Sequence, residues 1–146
     1  MLLSSKNNKK WALNKFQILS KKLSKKSKIG VLGISYKENT NSIKNSPALE
    51  ILKNNSFKNI FCYDPMADFS EVKYNFKKVN NYISVIDKCD LLIILTRCNE
   101  FKKITLSTLL KHMYGNIIID PLNVLRKLDL NNKGFRYFSK GDSIYD

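Results

Sequence analysis

Short apolar runs alternate with amphipathic stretches along most of this chain. "KIGVLGI" (28–34), "NIFCYD" (59–64), "DLLIILT" (90–96), "NIIID" (116–120) and "FRYFS" (135–139) read as strands, and "DLLIILT" is the clearest buried one. Between them, "SPALEILKNN" (46–55), "ADFSEVKYNF" (67–76), "YISVIDKC" (82–89), "FKKITLSTLLKHM" (101–113) and "VLRKLDL" (124–130) read as helices. Ser46 is placed to cap the first of these, Pro47 suits its first helical position, and Glu50 lies near the positive end of its dipole. Short apolar strands that alternate with helices predict a mainly parallel sheet covered on both faces. The fold class is therefore α/β, a Rossmann-like three-layer sandwich.

An amphipathic helix is expected ahead of the first strand, over residues 6–26. Ala12, Phe16, Leu19 and Leu23 form one apolar stripe, with Lys and Asn elsewhere. Such a stripe needs a surface to lie against, which suggests a missing partner or a homodimer contact. The Lys/Ser-rich "KKLSKKSK" leads into the first strand. The chain thus divides into a basic helical arm over 1–27 and one α/β domain over 28–146.

Composition adds a charge asymmetry. The net charge is +14, and residues 1–28 hold nine Lys and no acid, while the other 118 residues carry 17 basic and 12 acidic groups. A basic arm suits nucleic acid or an anionic membrane surface. Lys and Asn are abundant along the whole chain, so a solvated surface is the plainer reading. Neither nucleic acid nor membrane is the expected partner. The 146 residues and 43% hydrophobic content are enough for a core without disulfides or metal. Cys62, Cys89 and Cys98 are odd in number and lack CxxC spacing, and the single His112 completes no zinc set with them. Free thiols in a reducing compartment are expected, with Cys62 in the core. No run is long enough to span a bilayer, and "MLLSSKNNKKWALNKF" has no signal-peptide apolar region. The expected compartment is the cytoplasm.

The loops carry little catalytic chemistry. A GxGxxG fingerprint is absent, because "GVLGISYK" offers only Gly30 and Gly33, and Gly30 falls within the strand. Asp64 stands where a ribose-binding acid often sits, but Asp-Pro reads better as a turn initiator. His112 suits a helix C-terminus. Cys98 comes just after an expected strand at the ligand edge, without an obvious base to activate it. No catalytic residue and no metal ligand is assigned. The long polar loop "GISYKENTNSIKNSP" (33–47) differs. Lys37 lies just past a strand and Lys44 near a helix N-terminus, which suits a phosphate-bearing ligand, and Tyr36 could stack on a base or sugar. A solvated loop with ordinary lysines is the alternative.

The same loop resembles the C-terminal domain of the UDP-glucose/GDP-mannose dehydrogenase family, outlined as strand–"GLxYKxxTxDxRxSP"–helix. Gly33, Tyr36, Lys37, Thr40, Ser46 and Pro47 stand in that frame. "YDPMA" (63–67), "CDLLIILTRCNEF" (89–101), "IIDPLNVL" (118–125) and "GFRYFSKG" (134–141) come in the family's order. The resemblance covers about residues 10–141. It implies a UDP-sugar-binding domain of an NAD-dependent oxidoreductase that converts a sugar 6-hydroxyl to a carboxylate. It also implies that Tyr36 and Lys37 contact the UDP-sugar and that Lys44 faces the NAD cofactor. Two departures stand out. The family's Asp-x-Arg is Ser42-Ile43-Lys44 here, and the arginine of its "DGRN" segment is Leu122. The resemblance places the NAD domain, the central domain and the nucleophilic cysteine before residue 10. The chain is thus expected to be a truncated or split gene product that binds but does not oxidise, and that needs no cofactor alone. Its expected partners are a UDP-sugar and either a separately encoded N-terminal dehydrogenase half or a second copy. The alternatives are a stand-alone UDP-sugar-binding regulatory module and a basic protein that binds nucleic acid or a membrane surface.

Overall fold

The computed structural model describes residues 2–35, 47–53, 56–70 and 75–140. Six strands, β1 (Lys28–Leu32), β2 (Asn59–Tyr63), β3 (Lys77–Lys78), β4 (Leu91–Ile94), β5 (Ile117–Ile119) and β6 (Arg136–Phe138), form one sheet in the order β3-β2-β1-β4-β5-β6. Every neighbouring pair is parallel. This order reverses direction between β1 and β4, as in a Rossmann fold, and so makes a crevice at the carboxyl ends of those strands.

Alternation along each strand divides the core into two layers. Ile29, Val31, Leu91, Ile93, Ile117 and Ile119 face one side, where α1 (Leu2–Ser20) and α2 (Pro47–Lys53) pack. Leu32, Leu92, Ile94 and Ile118 face the other, with α3 (Tyr82–Ile86) and α4 (Leu106–His112). Each such side chain contributes about 1.5–3 kcal/mol by leaving water. β4 is apolar at every position because it lies between β1 and β5 and is covered on both faces.

The expected arm helix forms, but it ends at Ser20 instead of residue 26. Its stripe finds a surface within the chain: Ala12 and Phe16 are fully buried in the α1/α2 layer, and Leu19 and Leu23 pack against it. The Phe16 ring meets Phe57 edge-on at 5.9 Å. α2 opens on Pro47, as expected, while its expected cap Ser46 lies outside the described residues.

Three expectations are revised. The helix expected over 67–76 is absent from 67–70 and 75–76, its described parts. The Asp64 carboxylate instead accepts from the backbone N–H groups of Met66 (2.8 Å) and Ala67 (3.1 Å), holding the chain in a turn. The segment then leads to β3, an edge strand of exposed lysines that no apolar pattern marks. The helix expected over 101–113 divides into a 3-10 turn, Phe101–Lys103, and α4. Thr105 separates them in an extended conformation and caps α4 by accepting from Thr108 N at 3.2 Å. The helix expected over 124–130 is replaced by 3-10 turns at Arg126–Leu128 and Leu130–Asn132. The residue between them, Asp129, is left-handed with φ 51° and breaks helical continuity.

Candidate functional site

The carboxyl ends of β1, β4 and β5 meet along one edge of the sheet, the usual ligand edge of such a fold. At the end of β1 the chain turns on Gly33, whose φ is +96° and whose N–H donates to Tyr63 O at 2.9 Å. A Cβ on Gly33 would stand 2.6 Å from Thr96 Oγ1 and 2.8 Å from Thr96 N, so β1 and the loop after β4 touch there backbone to backbone.

Asp64 anchors the residues after Gly33. It is buried at the end of β2, and its Oδ2 accepts from Ile34 N (2.8 Å), Ser35 N (2.9 Å) and Ser35 Oγ (2.9 Å). Its other oxygen holds the Met66–Ala67 turn. One carboxylate therefore satisfies backbone donors from both connections and fixes the start of the 33–47 loop. Tyr36, Lys37 and Lys44, the residues singled out from the sequence, lie outside the described residues.

Tyr63 crosses the edge on the other side. Its hydroxyl donates to both oxygens of Glu100 at 2.9 Å, joining β2 to the segment after β4. Burial and the Glu100 hydrogen bond push its phenol up to about 12, so it stays a donor at neutral pH.

Asp120 ends β5 and organises the next loop. Its Oδ1 accepts from Val124 N (3.0 Å), and its Oδ2 accepts from Leu125 N (2.8 Å) and from the Tyr137 hydroxyl (2.7 Å). Burial nonetheless raises its carboxyl above the ordinary value, against the pull of those donors. A raised folded-state pKa means that the native protein binds more protons than the unfolded chain between the two values. That part of the stability is complete below the ordinary carboxylate range and falls as pH rises through the folded value. Asp120→Asn is expected to remove this component. Urea unfolding of both proteins between about pH 4 and pH 7 should show the wild type losing its advantage as pH rises.

Beyond this loop and the segment after β4 lies a cavity of about 320 Å³, lined by Arg97, Lys102 and Lys127 among others. Sequence reasoning passed over these three. The available signal was position: Arg97 and Lys102 come after the strand whose end had already drawn notice to Cys98.

The thiols divide by burial. Burial raises Cys62 far above its ordinary value and Cys89 to about 12, and Cys89 Sγ donates to Leu91 O at 2.8 Å. Neither is a thiolate at neutral pH, so neither is a ready nucleophile. Cys98 is partly exposed. His112 ends α4 and pairs with Asp87 at 3.1 Å, a link between α3 and α4. That hydrogen bond holds the Asp87 carboxyl below its ordinary value.

A dinucleotide of the fingerprint type does not fit these residues. A Cβ on Gly30 would stand 2.7 Å from Val85 Cγ1, so that glycine admits α3 against the sheet. Both oxygens of Asp64 are taken by backbone donors, which leaves them engaged where a ribose acid would be free. Among the described residues no group of three or more His, Cys, Asp and Glu is placed to hold a metal ion. No described helix is long and apolar enough to cross a membrane.

The family model described as "UDP-glucose/GDP-mannose dehydrogenase family, UDP binding domain" matches residues 30–127. The chain belongs to that family. Within it, a UDP-glucose 6-dehydrogenase of Rickettsia bellii is 31% identical across 99% of this chain and 35% of its own length. A UDP-N-acetyl-D-mannosamine dehydrogenase of Pyrococcus horikoshii is 31% identical across 78% of this chain and 26% of its own. The solved UDP-D-ManNAc dehydrogenase of Pyrococcus horikoshii superposes with a TM-score of 0.70 at 29% identity, over 92% of this chain and 31% of that one. The UDP-N-acetyl-mannosamine dehydrogenase of Staphylococcus aureus shares the fold, with a TM-score of 0.65 at 24% identity over 92% of this chain and 31% of that one. This family member spans about a third of the length of the Rickettsia relative.

Proposed function

We propose that this domain binds a UDP-sugar at the carboxyl edge of its sheet, as the nucleotide-sugar-binding part of a UDP-sugar dehydrogenase acting in the cytoplasm. Tyr36 and Lys37 contact the ligand, and Lys44 is turned toward the NAD side. The carrying observation is the UDP-binding-domain match over residues 30–127, which takes in the 33–47 loop and the loops after β4 and β5. The Asp64 anchor supports it, because hydrogen bonds to Ile34 and Ser35 fix the backbone immediately before Tyr36. NAD binding and the nucleophile belong, on this reading, to sequence outside these 146 residues. The protonated, buried Cys62 and Cys89 support that division of labour. Residues 1–27 then serve as the end of the helix that leads into the domain.

Calorimetric titration with UDP, UDP-glucose and UDP-N-acetyl sugars tests the proposal. Micromolar binding is expected, weakened about tenfold or more by Lys37→Ala, the scale of one lost hydrogen bond to a charged group. No heat with any of these ligands would overturn it.

A further inference from the structure

A groove lies at the amino edge of the sheet, at the other end of the strands from the ligand edge. The last turns of α1, the turn into β1, the end of α2 and the residues before β2 enclose about 780 Å³. Phe16, Leu23 and Phe57 give it an apolar wall, and Ile18 stands 60% exposed beside them. Lys21, Lys25 and Lys53 also line it, all three exposed, and no acidic side chain does. Among the described residues, none of these lysines is in an ion pair. An apolar groove ringed by unpaired cations is complementary to an acidic segment that also carries apolar side chains.

The chain itself holds such a segment. Residues 141–146, "GDSIYD", lie outside the described residues and combine Asp142 and Asp146 with Ile144 and Tyr145, without a cation among them. Other acids are committed elsewhere: Asp64 and Asp120 are buried, Asp87 pairs with His112, and Glu100 accepts from Tyr63. Reach then decides which copy the groove receives. Ile144 is four residues beyond Lys140 and so lies at most about 14 Å from it. The groove is about 14 Å away across the three strand spacings from β6 to β1, and about 13 Å further along the five residues of β1. Ile144 of the same chain falls short of it, whereas that of a second copy does not.

We infer that the amino-edge groove receives residues 141–146 of a second copy, each chain of a dimer placing this segment on the other. Reciprocal exchange closes the assembly at two chains. Direct groove-to-groove contact would instead bring six lysines together, which like-charge repulsion disfavours. Asp142 and Asp146 meet Lys21, Lys25 and Lys53 at the rim, and Ile144 and Tyr145 lie on the apolar wall. Exposed ion pairs make the contact weaker as salt rises. The inference is independent of the proposed function, because the groove is at the opposite edge from the nucleotide-sugar site.

The test is sedimentation equilibrium of the full chain at micromolar concentrations, in low and in high salt. A dimer is expected, less stable in high salt. Asp142→Lys/Asp146→Lys and Lys21→Glu/Lys53→Glu are each expected to weaken it about tenfold or more. Lys21 and Lys53 are exposed, so the fold should survive, which circular dichroism checks. The chain carrying all four substitutions reverses both partners and is expected to recover most of the loss, which damage to the fold would not allow. A monomeric wild type would overturn the inference. So would a dimer that either pair of substitutions leaves within about twofold of wild type, or a four-substitution chain without recovery. If the wild type stays monomeric and binds single-stranded DNA through Lys21 and Lys53, the groove is a polyanion surface and the inference likewise fails.

Discussion

Phe16→Ala is expected to lower the free energy of unfolding by about 3–5 kcal/mol. The ring is 1% exposed and lies at the centre of the α1/α2 layer beside Ala12 and Phe57. Truncation removes its transfer free energy and leaves a void. The void is bounded by strand residues that cannot close in, because β1 is hydrogen-bonded to neighbours on both sides. Urea unfolding measures the loss as a shift in midpoint at constant slope. A loss below about 1 kcal/mol would mean that α1 rests on the domain as a loose arm and is no part of its core. The same residue thus tells whether residues 1–27 can be regarded separately from 28–146.

Gly33→Val is expected to cost about 2–5 kcal/mol, from two sources of similar size. A φ of +96° is unfavourable for any side chain, most of all a β-branched one. The new Cβ would also press on Thr96, and the contact at Thr96 N is with backbone, which cannot swing aside. Gly134→Ala separates the sources. Gly134 has nearly the same φ, +91°, but nothing within 4 Å of its would-be Cβ, so it reports the backbone strain alone. Thermal unfolding of Gly33→Ala and Gly134→Ala should differ by the Thr96 contact, and equal losses would show that contact to be soft.

The strands were legible because burial on both faces forces an apolar run, as in Leu91–Ile94. β3 was not, because an edge strand of Lys77 and Lys78 satisfies its backbone on one side and leaves its side chains in water. The misplaced helix at 67–76 had the right apolar spacing. Tertiary contacts override it: Asp64 draws Met66 and Ala67 into a turn, and the Phe69 and Phe76 rings meet at 5.7 Å. The site was legible only in part. Asp64 as a turn residue is readable from Asp-Pro, but its grip on Ile34 and Ser35 crosses 30 and 29 positions of sequence. Arg97 and Leu122 are likewise far apart in the chain and share a cavity because β4 pairs with β5.

The last strand carries one more consequence. Arg136 N donates to Asn116 O, and Phe138 O accepts from Asp120 N, both toward β5. Only Tyr137 turns its backbone outward, and there the Asn131 side chain accepts from Tyr137 N at 3.0 Å and donates to Tyr137 O at 3.3 Å. A side-chain amide thus stands in for a seventh strand. The sheet is sealed at that edge against growth by recruitment of another chain, so β6 offers no template for fibrillar stacking.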